Sequence, residues 1–119
     1  MKYLVNDLEG GRLDAAVAKA EGMKFVLVRT MMDDPVPYLC FILPGEDVFA
    51  PSSDWGHGGP IIERESIDVH KVNDGHFGAR LWIRVDDDTI TNCDSSGPTM
   101  LISAMRAFVA ARIGAEVEL

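Results

Sequence analysis

At 119 residues, with 47% apolar and 25% charged side chains, the chain has the balance of one globular domain and enough core to fold without disulfides or metal. Eleven Lys and Arg against nineteen Asp and Glu leave a net charge of −8. That disfavours direct nucleic-acid binding, which rests on cations that neutralise phosphates.

The first predicted element is a helix over Glu9–Gly22. Leu13, Ala16, Val17 and Ala20 recur at the helical period, with Arg12, Asp14, Lys19 and Glu21 elsewhere. Gly22 stands where a left-handed cap ends a helix, and Leu8 can staple the first turn. Ala15, Ala16, Ala18 and Ala20 permit close approach to another surface. A strand pair follows over Lys24–Met32 and Tyr38–Leu43, joined through the turn residues Asp33–Pro37. The near-continuous apolar run of the second strand predicts cover on both faces. Pro44-Gly45 closes the pair, and Glu46–Ala50 is a short extension.

Pro51–Gly59 combines a proline, three glycines, Ser52-Ser53-Asp54 and Trp55. Each glycine costs about 1 kcal/mol relative to Ala inside a helix, so the segment reads as a loop or distorted helix capped by Ser52 or Ser53. A short helix over Pro60–Glu65 follows. Ile67–Val72 alternates as a half-buried strand, Asn73-Asp74-Gly75 is a hairpin turn, and Ala79–Val85 is the returning strand. A further short strand is expected near Thr89–Cys93. The last helix opens at Asp94–Pro98, with Ser96 as cap and Pro98 at its first position. Leu101, Ala104, Met105 and Phe108 form its stripe and Gly114 ends it. Glu116–Leu119 is an acidic tail or edge strand.

Few residues are arranged for chemistry. No apolar run approaches the ~18 residues that cross a bilayer, and the start lacks the apolar core of a signal peptide. The expectation is a cytoplasmic protein away from membranes, with Cys40 and Cys93 reduced. His57, His70 and His76 share no zinc spacing with the cysteines, so neither a metal nor a cofactor is expected. No nucleophile elbow or phosphate-binding loop is present. Asp54 and Trp55 remain. A tryptophan beside a carboxylate in a glycine-rich segment either covers the edge of the core, with Asp54 capping a helix, or forms one wall of a binding surface.

Three blocks together resemble a known family. They are Leu8-x-Gly10-x-x-Leu13-Asp14-x-Ala16-Val17-Ala18-x-Ala20-x-Gly22, then Pro51-Ser52-x-Asp54-Trp55-x-x-Gly58-Gly59-Pro60-Ile61-Ile62-Glu63-Arg64, then Gly97-Pro98-Thr99-x-Leu101-Ile102-x-Ala104-Met105-Arg106-x-Phe108-Val109, ending at Gly114. In this order they are similar to the NinX-like accessory proteins of tailed bacteriophages and prophages. The resemblance covers roughly half the chain. It implies a phage or prophage origin, a host-cytoplasmic location and a layered fold in which the first and last helices flank a small antiparallel sheet. It brings no reaction with it. Lys24–Gly45 and Ile67–Asn92 are longer than the resemblance implies.

The resulting expectation is one α+β domain over residues 1–119, with a mostly antiparallel sheet of four or five strands in an α-β-α arrangement. Its expected role is that of a non-enzymatic phage protein binding another phage or host protein, or a small ligand. Ser53, Asp54, Trp55, Gly59, Arg64, Thr99 and Arg106 form the candidate surface, because core packing requires them least. Arg106 has a second reading, as a structural partner of Asp54 or Glu63. Two rival functions are an enzyme or binder for a nucleotide or other anionic metabolite, seated on the last helix's N-terminus, and an acidic DNA mimic that inhibits a host protein. An apolar edge in 24–43 would suit a homodimer.

Overall fold

The computed structural model describes residues 1–29 and 38–119. Strand β1 (Lys2–Leu4) leads through a 3-10 turn (Val5–Asp7) into α1 (Gly10–Ala20). Strands β2 (Phe25–Arg29), β3 (Tyr38–Ile42) and β4 (Asp47–Val48) follow, then α2 (Trp55–Glu65). The chain continues through β5 (Asp68–Asn73), β6 (His76–Arg84), β7 (Ile90–Gly97), α3 (Met100–Arg112) and β8 (Glu116–Glu118). The α+β class holds, and the pairing among the described residues is antiparallel. The turn expected at Asp33–Pro37 lies outside the described residues.

The strands do not form one sheet. Among the described residues they divide into β1-β8, β2-β3-β4 and β5-β6-β7. Helix α1 packs on β2 and β3, α3 packs on β5, β6 and β7, and the two helices pack on each other. The layers are therefore sheet, helix, helix, sheet, rather than two helices flanking one sheet. The cause is legible in the helices. Gly11 and every residue from Leu13 to Ala18 are buried in α1, as are Leu101 and Ser103–Val109 in α3. A helix covered all round needs a packing partner on each side. Leu13, Ala16 and Val17 face the main core with Met105 and Phe108, whereas Ala15 and Ala18 meet Cys40, Phe25 and Leu27 of the first sheet.

Several local expectations change. Strand β3 is covered on one face only: Cys40 is buried while Leu39 is 40% exposed, because nothing among the described residues packs outside that sheet. Asp14, expected on a polar face, is buried. Segment 55–59 is helical, and the whole run to Glu65 forms one helix containing Pro60. Tertiary contact overrides the glycine penalty there. A Cβ on Gly58 would lie 2.4 Å from the Pro51 carbonyl oxygen and 2.6 Å from Leu101 Cδ2, so glycine is what lets α2 approach α3. Of the caps the sequence offers, Asp54 is the one used: its carboxylate accepts from the Gly56 amide at 2.8 Å, and neither Ser52 nor Ser53 caps the helix.

The cap of α3 is Thr99, whose hydroxyl oxygen accepts from the Ile102 amide at 3.1 Å, rather than Ser96. Residues 94–97 are drawn into β7 instead. Asp94 stands opposite Arg80 and takes a two-pronged ion pair from it at 2.8 and 3.0 Å. Gly22 ends α1 with φ +74°, as expected. The acidic segment at the end pairs with β1, closing Val117 into the main core.

Candidate functional site

The start of α2 and the start of α3 lie side by side. Between them runs a groove of about 500 Å³, lined by Ser52, Ser53, Trp55, Phe77, Thr99, Met100, Leu101 and Ile102. Asp54 fixes the first turn of α2 and thereby sets Trp55 at the groove edge, 55% exposed. Thr99 does the same for α3. The walls are aromatic and aliphatic, with the Ser53 and Thr99 hydroxyls as polar points and no Lys, Arg or His among the lining residues.

The wall formed by residues 51–53 is anchored from beneath. Asp14, in the middle of α1, accepts from the Ser52 amide at 2.8 Å. Its carboxyl is pushed up to about 6, chiefly by burial; hydrogen bonds from Ser52 pull in the opposite direction. The Ser52 hydroxyl donates to the Gly10 carbonyl at 3.4 Å. His57 Nδ1 accepts from the Ala50 amide at 3.0 Å, which leaves the ring proton on Nε2. Its approach to Asp54, at 3.8 Å, is therefore not a charged hydrogen bond.

Of the residues singled out in the sequence, Ser53, Trp55 and Thr99 meet at the groove. Asp54 caps the helix beside it. Gly59 lies one turn after Trp55, its added Cβ 3.9 Å from the edge of that ring. Arg64 and Arg106 are elsewhere. Arg64 stands about 14 Å further along α2 at 1.5 Å per residue, held by Glu21 and Glu65. Arg106 is buried inside α3, donating to the carbonyls of Leu8 at 2.9 Å and Ser96 at 2.8 Å. It pairs with neither Asp54 nor Glu63 and ties β7 to the approach of α1.

As site residues, sequence reasoning missed Ser52, Phe77, Met100, Leu101 and Ile102. Met100 and Ile102 lie off the stripe that defined the core face of α3, and apolar residues off the stripe were the available signal. Nothing local marks Phe77, which reaches the groove only because β6 starts three residues earlier than expected. Cys40 is buried, its thiol pushed up to about 11 by burial and by the charge of Asp14, which suits a packing role. Among the described residues no group of three His, Cys, Asp or Glu is placed to hold a metal.

What these features define is a small compact α+β protein built from antiparallel sheets around a buried helix pair. The chain belongs to the phage NinX family: the family model described as Bacteriophage P22, NinX matches residues 4–112. That span includes the first two sequence blocks, the third as far as Val109, and every groove residue. No curated protein matches the chain. No helix among the described residues is long and apolar enough to cross a membrane.

Proposed function

We propose that this phage accessory protein acts in the cytoplasm of the bacterial host as a non-enzymatic binding module. The groove between Trp55 and the first turn of α3 receives an apolar side chain of a phage or host protein, or a small apolar ligand. One observation carries the reading: a half-exposed tryptophan forms the wall of a groove whose other sides are apolar. Exposed indole is costly to leave in water and productive at an interface centre, where Trp, Tyr and Arg supply most binding energy. The anionic-metabolite alternative is less well supported, because no cation lines the groove. A net charge of −8 likewise speaks against direct nucleic-acid binding. A homodimer is a separate arrangement favoured by the exposure of Val26, Val28 and Leu39 on one sheet face, and sedimentation mass reports it.

Trp55→Ala tests the reading. The ring faces solvent, so the variant is expected to melt within about 1 kcal/mol of the parent, as surface substitutions do. It is expected to lose at least tenfold in capture of a partner from phage-infected host extract. Capture that survives the substitution in a folded variant removes the groove from consideration. A thermal-shift panel of nucleotides separates the alternative: stabilisation by one nucleotide class would favour an anion-binding role.

A further inference from the structure

The geometry points to a second docking edge, remote from the Trp55 groove, where an extended acidic segment of a partner protein adds to β6 as a new strand. Strand β5 starts only at Asp68, opposite Arg80. It begins there because Ser66 is the left-handed cap of α2, with φ 53°, and the Ile67 amide turns back to the Ile62 carbonyl at 3.0 Å. Strand β6 continues to Arg84, paired on its other side with β7 as far as Ile90.

The hydrogen-bond parity of β6 follows from one contact. The Val85 amide donates to the Thr89 carbonyl at 2.9 Å. In an antiparallel ladder, every second pair exchanges both bonds. Pairs Ile83–Thr91 and Leu81–Cys93 therefore bond inward to β7. The amide and carbonyl groups of Trp82 and Arg84 point the opposite way, where β5 no longer runs. Among the described residues no strand pairs with them there.

This open edge borders a cleft of about 280 Å³, between the ends of α2 and α3, whose lining includes Arg64, Glu65, Trp82, Arg84, Ala111 and Arg112. Three of the protein's eleven basic residues thus meet in one cleft of an acidic molecule. Glu65 is shared by Arg64 and Arg112, and burial of its carboxyl is outweighed by those two partners, which hold it below the usual carboxylate range. The Arg84 guanidinium has no carboxylate within 4 Å among the described residues, only the Asp87 carbonyl at 3.4 Å.

Strand edges are ordinarily protected by proline, a bulge or charge. Residues 81–84 hold no proline and no bulge; their guard is cationic. A strand laid against this edge meets Arg84, with Arg64 and Arg112 alongside, so an acidic strand is favoured. Main-chain bonds would supply affinity, and the arginines and the 54%-exposed Trp82 would select the side chains.

The test uses the whole chain carrying Trp55→Phe, leaving Trp82 as the sole indole. Two pools of dodecapeptides serve as probes, with Glu or Lys at alternate positions and Val, Ile, Thr or Tyr between them. The Glu pool is expected to shift Trp82 fluorescence saturably and to slow amide exchange at Trp82 and Arg84 at least tenfold. Arg84→Glu is expected to weaken that binding at least tenfold, and Arg84→Lys by less. Glu peptides N-methylated at every amide are expected not to bind. Equal binding of the Lys pool, unchanged binding of the N-methylated peptides or no saturable signal with the Glu pool each overturns the inference. Protection confined to another strand does so as well. Retention of Glu-pool binding in Trp55→Ala separates this edge from the α2–α3 groove; its loss there would also overturn the inference.

Discussion

Asp14 is the residue whose chemistry departs furthest from its place in the sequence. It sits 4% exposed with a carboxyl pushed by burial from its ordinary range up to about 6. The folded protein therefore holds the proton more tightly than the unfolded chain. Raising the pH from about 4 to about 6 deprotonates the unfolded chain while the fold still holds its proton, so stability falls across that window and then levels. Two pH units correspond to roughly 3 kcal/mol. Asp14→Asn keeps an oxygen for the Ser52 amide without the buried charge. The variant is expected to melt higher than the parent at pH 7.5, with the difference shrinking towards pH 4. An equal or lower melting temperature at pH 7.5 would show that the charge is compensated. Arg106 makes the opposite case, since burial lowers its pKa against the charges of Glu9 and Asp7 while its guanidinium satisfies two carbonyls. Arg106→Met orphans the Leu8 and Ser96 oxygens, and a loss on the order of 3 kcal/mol is expected in denaturant melts. Neither role was legible in the sequence, because both partners come from distant segments: Ser52 lies 38 residues from Asp14, and Leu8 lies 98 from Arg106.

Among the elements, legibility followed the strength of local periodicity. Helices α1 and α3 emerged from their stripes and closing glycines to within a few residues, and the hairpin of β5 and β6 from its Asn-Asp-Gly turn. Helix α2 did not, because its helicity is settled by what Gly58 touches rather than by propensity. The same contact gives a sharp expectation. Gly58→Ala, normally a gain of about 1 kcal/mol inside a helix, should here destabilise by about 1–3 kcal/mol, because the added methyl must displace Pro51 or Leu101. A stabilised variant in a urea melt would mean that α2 can slide away from α3. The end of β7 was misread for a related reason. Asp94–Gly97 has the composition of a capping segment, and only its pairing with Arg80, Ala79 and Phe77 makes it extended. The candidate site was half legible: the Ser53, Trp55 and Thr99 segments do converge, while the arginines chosen beside them serve other contacts.

For the whole molecule, the class was legible and the layer order was not. Alternating and helical periods report which face of an element is buried; they do not say whether the cover is one sheet or two. The small residues at Ala15 and Ala18 were the available sign of a second packed face on α1. That face builds a satellite cluster around Cys40, distinct from the main core of Leu13, Met105 and Phe108. Two clusters on opposite sides of one helix need not melt together. The smaller one buries less apolar surface and should open at lower free energy, as sub-global units do. With Cys93→Ser leaving one thiol, Cys40 becomes a timer for that event. Its modification by a thiol-specific dye is expected to proceed in native buffer at a rate that Met105→Ala, which lowers global stability by about 2–5 kcal/mol, barely changes. Proportional acceleration by Met105→Ala would instead reveal a molecule that yields only as a whole.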